Sequence, residues 1–140
     1  MNPRLLIYFT LGFPDDQFLE NLVLDIPDGL VDGLELGLPS ADPRYDGPKI
    51  RLTHLETGSK ELERFDPVLR ACVKKGIRVN ILSYYSDFEN NESNILSLLS
   101  RHSIHEIIVP DLLIDYADAA EPFLEKLRSA GISYIPFFNA

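Results

Sequence analysis

Apolar residues along this chain alternate between two textures, short unbroken runs and longer stretches with helical spacing. Leu5-Leu6-Ile7-Tyr8-Phe9 is an unbroken run of the kind a buried strand requires, and the turn signals Gly12 and Pro14 close it. Asp15 and Asp16 then open a predicted helix on which Phe18, Leu19, Leu22, Val23 and Ile26 recur at helical spacing. Acidic residues in its first turn suit the helix dipole, and Pro27 with Gly29 ends it. Residues 33–37 read as a second strand, followed by a polar loop from 39 to about 48. Helix signals resume through Leu62, Phe65, Val68, Leu69 and Val73 and stop at Gly76. A third strand over 78–82 leads into a polar stretch reaching Asn91, then a helix around Ile95, Leu96, Leu98 and Leu99. Residues 107–109 form the fourth strand, stopped by Pro110. A helix from about 116 to 130 ends at Gly131, and 132–138 is the fifth strand.

Strands alternating with helices of this length require a parallel sheet with helices packed on it, an α/β fold in a single domain over 1–140. Two closures share that pattern, an open doubly wound sheet and a (β/α)₈ TIM barrel. The Gly-x-Gly-x-x-Gly turn of dinucleotide-binding sheets is absent, since Thr10-Leu11-Gly12-Phe13-Pro14 carries one glycine. Polar residues collect after the second, third and fourth strands, as they do at the mouth of a barrel. Periodicity by itself leaves both closures open.

Composition narrows the class of partner. With 13 basic against 22 acidic residues the net charge is -9, which repels nucleic acid and anionic membrane alike. The densest basic cluster, Lys74-Lys75 with Arg78, reads as a solvated helix end. No apolar run approaches the roughly 18 residues of a membrane span. Met1-Asn2-Pro3 leads directly into the first strand with no secretory signal, so a cytoplasmic location is expected. The single cysteine, Cys72, sits among Val68, Leu69 and Val73 as a small buried hydrophobe. His54, His102 and His105 lie far apart or on different elements, and no metal site is expected.

The chemistry concentrates after the second strand. In Gly33-Leu34-Glu35-Leu36-Gly37, alternation puts Leu34 and Leu36 on one side and Glu35 on the other, which in a barrel is the interior. A carboxylate there is costly to bury ionised, so its pKa should rise and fit it for general acid–base work. The plainer reading is a structural Glu paired with a buried cation. Eleven residues on, Asp46-Gly47-Pro48 returns a second carboxylate toward the same mouth. Asp before Gly-Pro is often only a turn residue. Two carboxyls in different environments can, however, divide acid and base roles between them.

Glu35-Leu36-Gly37-Leu38-Pro39, then Asp42-Pro43, then Asp46-Gly47-Pro48-Lys49-Ile50, resembles the signature of tryptophan synthase α subunits, without a gap in spacing. Tyr8-Phe9-Thr10-Leu11-Gly12-Phe13-Pro14-Asp15 is similar to that family's first strand and turn. Tyr84-Tyr85 and Val109-Pro110-Asp111-Leu112 also fit, and residues 110–116 look most like archaeal members. The resemblance implies a (β/α)₈ TIM barrel, here truncated to the first through the fifth strand. It implies a lyase that cleaves indole-3-glycerol phosphate by retro-aldol chemistry into indole and glyceraldehyde 3-phosphate, in tryptophan biosynthesis. Glu35 would protonate the indole ring carbon, and Asp46 would accept the indole N–H. Tyr8, Thr10 and Tyr84 would wall the substrate pocket. Asp42 and Asp111 would lie on the face that docks the β subunit of an α2β2-type complex. No cofactor is implied for this chain, and pyridoxal phosphate is expected only in that partner.

Ser40 and Ala41 stand where the family pattern has Phe-Ser, and Tyr45 replaces a small residue beside Asp46, where it is expected to crowd the pocket. A complete barrel of this type takes about 250 residues, and 140 residues match its N-terminal half. The phosphate seat would then lie beyond the fifth strand, and the open edges and inner face would favour pairing or aggregation. Two other readings compete with the enzyme. One is a non-catalytic docking protein for the β subunit. The other is a different phosphate-handling barrel, which would not be expected to carry Glu35, Asp46 and the Asp-Pro between them.

Overall fold

A computed structural model of the protein describes residues 4–57 and 61–137. Five strands form one sheet in the order β1 (Leu6–Thr10), β2 (Gly33–Gly37), β3 (Arg78–Leu82), β4 (Glu106–Ile108) and β5 (Ser133–Ile135). Every pairing is parallel, so each strand hands over to a crossover carrying helix. The helices are α1 (Asp16–Asp25), α2 (Pro48–Thr57), α3 (Asp66–Lys74), α4 (Tyr85–Asn90), α5 (Glu92–Arg101), α6 (Leu112–Asp115) and α7 (Ala117–Ser129), with a 3-10 turn over Leu62–Phe65 before α3.

Local chemistry explains the boundaries. Asp15 caps α1, its carboxylate accepting the Phe18 N–H at 2.7 Å. Helices α3 and α7 end alike. At the first, Ile77 N donates to Cys72 O and Gly76 N to Val73 O; at the second, Ile132 N donates to Leu127 O and Gly131 N to Arg128 O. That pair of bonds needs a left-handed residue, supplied by Gly76 (φ 66°) and Gly131 (φ 74°).

The sheet separates two apolar populations. Leu34, Leu36, Ile81 and Ile107 face the helices and join Leu19, Val23, Phe65, Val68, Leu69, Cys72, Leu98 and Leu99 in the main core. Helix α4 is held on α7 by Phe88 and Tyr85, whose rings meet Phe123 edge-on at 5.1 and 5.3 Å. The opposite face carries Leu82, Tyr84 and Ile108 with Tyr8, Tyr45 and Ile135, a smaller cluster beside the polar residues of the strands.

All five expected strands are present, with ends shifted by a residue or so, and the fifth stops at Ile135. Its expected last residue, Phe138, lies outside the described residues. The segment expected as loop and then one helix is instead three pieces, because α2 begins at Pro48. This helix buries only His54 and leaves Leu52 and Leu55 exposed, so apolar periodicity could not reveal it. Helices α4 and α6 likewise occupy stretches expected to be irregular. They are short, and side chains from elsewhere in the fold hold them. Val73 and Phe18, expected on apolar helix faces, are exposed.

Candidate active site

Register builds the site. Parallel pairing places Tyr8 beside Glu35 and Glu35 beside Asn80, all on the sheet face away from the helices. Glu35 thus occupies the centre of a three-strand row. Burial raises its pKa above the ordinary carboxyl range, and the neighbouring charge of Asp46 adds to the rise. It also lines a cavity of about 470 Å³ toward the N-terminal ends of the strands, walled by Asp32, Arg78, Asn80 and Glu106 among others and not by Tyr8, Thr10, Asp46 or Tyr84. The Oδ1 atom of Asn80 is buried and has no hydrogen-bond partner among the described residues.

Asp46 arrives on the loop after β2. Its Oδ2 accepts a hydrogen bond from Tyr84 Oη at 3.0 Å and lies 3.7 Å from His54 Nε2. Tyr84 Oη in turn accepts the Tyr45 N–H at 3.0 Å, so one phenol ties the loop to the end of β3. Burial, reinforced by the charge of Asp46, holds the Tyr84 phenol well above its ordinary pKa, which keeps it a neutral donor. Tyr8 is pushed up in the same way, by burial first and then by the charges of Asp46 and Glu35. The Tyr8 ring lies over Gly37, where a Cβ would collide with the phenol and push it aside.

Each residue expected in the pocket comes to this mouth. Tyr8 Oη sits 3.0 Å from Thr10 Oγ1, and Thr10 Oγ1 sits 2.6 Å from Thr53 Oγ1. Tyr45, expected to crowd the pocket, instead has its hydroxyl tied to Asp115 Oδ2 at 2.9 Å. Asp42 is exposed and paired with Arg44 at 2.9 Å, and Arg44 also reaches Asp115 at 3.2 Å. Asp111 is buried. Its Oδ1 accepts the Tyr85 N–H at 2.9 Å, which anchors the first turn of α4. Among the described residues no cluster of His, Cys, Asp and Glu is arranged to hold a metal ion. No described helix is long and apolar enough to cross a membrane.

Sequence reasoning missed His54. It is 1% exposed, its Nδ1 accepts the Ser40 N–H at 2.9 Å, and its Nε2 lies 3.1 Å from Tyr8 Oη. Burial lowers its pKa, against the opposing pull of Asp46 and Asp87. The available signal was position: His54 rides the helix that starts two residues after Asp46.

A five-stranded parallel sheet in sequential order with helices packed on one face is the N-terminal half of a barrel of the TIM type. The family model described as tryptophan synthase alpha chain matches residues 2–140, and the chain belongs to that family. The tryptophan synthase alpha chain of Sulfurisphaera tokodaii is 33% identical over 138 residues, 98% of this chain and 56% of the relative. That of Saccharolobus solfataricus is 28% identical over 137 residues, 98% of this chain and 55% of the relative. A mutant tryptophan synthase alpha-subunit from Pyrococcus furiosus superposes with a TM-score of 0.77 at 30% identity, covering 94% of this chain and 54% of that one. The chain therefore spans about half the length of the curated relatives it matches.

Proposed function

We propose that this chain carries the acid–base half of a tryptophan synthase α site, acting on indole-3-glycerol phosphate. The observation that supports the reading is that Asp46 lies near enough for its charge to add to the rise in the Glu35 pKa, which biases Glu35 toward its protonated form. Protonated Glu35 delivers its proton to the ring carbon that bears the glycerol chain. Asp46 accepts the indole N–H and offsets the positive charge that this protonation places on the nitrogen. Oδ2 of Asp46 is engaged by Tyr84, whereas Oδ1 accepts no hydrogen bond among the described residues and is the atom assigned to the substrate. The Glu35 carboxylate then takes the proton of the chain hydroxyl next to the ring. The carbon–carbon bond breaks, its electrons return to the ring, and indole and glyceraldehyde 3-phosphate leave.

Tyr8, Thr10 and Tyr84 wall the pocket in this reading. Barrels commonly seat phosphate on loops after the seventh and eighth strands, so efficient turnover calls for strands beyond the five described. The β subunit is the partner expected. A related Pyrococcus furiosus structure, 29% identical, is described as showing mutual activation of a tryptophan synthase α2β2 complex. Asp42, exposed at the loop tip, is assigned to that docking face, and Asp111 to holding α4 beneath it. The test is indole release from indole-3-glycerol phosphate with the β subunit supplied. Glu35→Gln should lower the rate by roughly 10²–10⁴-fold, and an unchanged rate would remove Glu35 from the chemistry.

A further inference from the structure

The hydrogen bonds behind the mouth can be given directions by counting protons. Thr53 Oγ1 donates its only hydrogen to Ile50 O at 2.6 Å, so at its 2.6 Å contact with Thr10 it must accept. Thr10 has then spent its hydrogen, and at 3.0 Å it must accept from Tyr8 Oη. Tyr8 has now spent its own, so the 3.1 Å contact to His54 Nε2 is an N–H donated by the imidazole. The far side of the ring agrees independently. Nδ1 accepts the Ser40 N–H at 2.9 Å, which requires it to be unprotonated. Both ends of the chain therefore specify the same neutral tautomer, with hydrogen on Nε2.

That tautomer faces the site. The Nε2 atom lies 3.7 Å from Asp46 Oδ2, the same oxygen that accepts from Tyr84. One hydrogen-bond donor, Tyr84, and one N–H dipole at electrostatic range, already donated to Tyr8 Oη, thus face one oxygen of a carboxylate whose other oxygen has no partner among the described residues. We propose that His54 is a positioning residue: the Ser40–His54–Tyr8–Thr10–Thr53 chain holds its hydrogen on Nε2, donated to Tyr8 Oη with Asp46 Oδ2 at 3.7 Å, and the positive end of that N–H, together with the Tyr84 hydrogen bond, keeps Oδ1 aimed at a substrate N–H. This rests on the reading of Asp46 given above. The opposite tautomer would set the Ser40 N–H against a ring N–H and put an imidazole lone pair toward the carboxylate. The second change would repel Asp46 Oδ2 and leave Tyr84 alone to hold the carboxylate. Ser40 belongs to the same device, since its Oγ donates to Asp87 Oδ2 at 2.5 Å and holds the backbone N–H in place.

The experiment compares binding of indole with binding of 1-methylindole, which lacks the N–H, by the full chain and its His54 variants. Nitrogen chemical shifts of the His54 ring are recorded alongside. The wild type should prefer indole by about tenfold, the scale of one hydrogen bond to a charged acceptor. His54→Leu should lose that preference while still binding 1-methylindole. His54→Gln, whose amide can donate along the same line, should recover most of it, and it serves as the deciding variant if His54→Leu does not fold. The wild-type ring should show hydrogen on Nε2 at neutral pH. Equal weakening of both ligands in His54→Leu, or a ring with hydrogen on Nδ1, overturns the positioning role. A wild type with no preference for indole would instead sink the assignment of Asp46, a result distinct from a preference that merely survives His54→Leu.

Discussion

Glu35 and Asp46 were legible as residues because chemistry and pattern agree at both. A carboxyl at an alternate position of a buried strand must face away from the helices, and the structure sets it in the row Tyr8–Glu35–Asn80. His54 was not legible, because a lone histidine on a helix without apolar periodicity carries no signal until its neighbours in space are known. The raised pKa of Glu35 has a consequence for stability. The folded state holds the proton to higher pH than the unfolded chain does, so the carboxyl costs stability increasingly as pH rises from the ordinary glutamate range toward its raised value. Glu35→Gln removes that cost. The variant should match the wild type at acid pH and exceed it in urea midpoint at neutral pH, even as it loses activity. A variant less stable at neutral pH would mean that Glu35 has a structural cation partner.

Strands and the longer helices announced themselves through period and punctuation, and the elements that were missed share one cause. Helices α2, α4 and α6 are fixed by side chains distant in sequence rather than by their own patterns. Asp111 reaches the first turn of α4 across 26 positions, and Tyr85 and Phe88 then lock that helix on Phe123. Asp111→Ala should therefore strand the buried Tyr85 N–H and destabilise the fold by about 1–3 kcal/mol, measured by chemical denaturation. Loss of less than about 0.5 kcal/mol would show that α4 is held by its aromatic contacts alone. The core under β3 has no such subtlety. Leu69 and Leu98 are fully enclosed, and truncating Leu69 to Ala should cost about 2–5 kcal/mol.

Across the whole molecule, the helix-facing side of the sheet is finished and the other side is not. Among the described residues β1 and β5 each pair on one edge only, and the inner face carries the cavity that Glu35 lines. Parallel order and helix packing followed from the alternation of elements. The choice of a barrel over an open sheet needed the loop motif, since both closures share the same periodicity. Unpaired strand edges recruit other strands, so the chain should sediment faster as its concentration rises; a single slow species at all concentrations would mean that the edges are blocked. Joint action of Glu35 and Asp46 on an indole ring, as proposed, can be tested without a phosphate seat. In deuterated buffer, a general acid at the ring carbon should exchange the C3 hydrogen of free indole, a loss readily followed by proton NMR. Exchange should be faster with the chain than in buffer alone, abolished by Glu35→Gln and slowed by Asp46→Asn. Exchange no faster than in buffer, or equally fast in Glu35→Gln, would contradict that joint action.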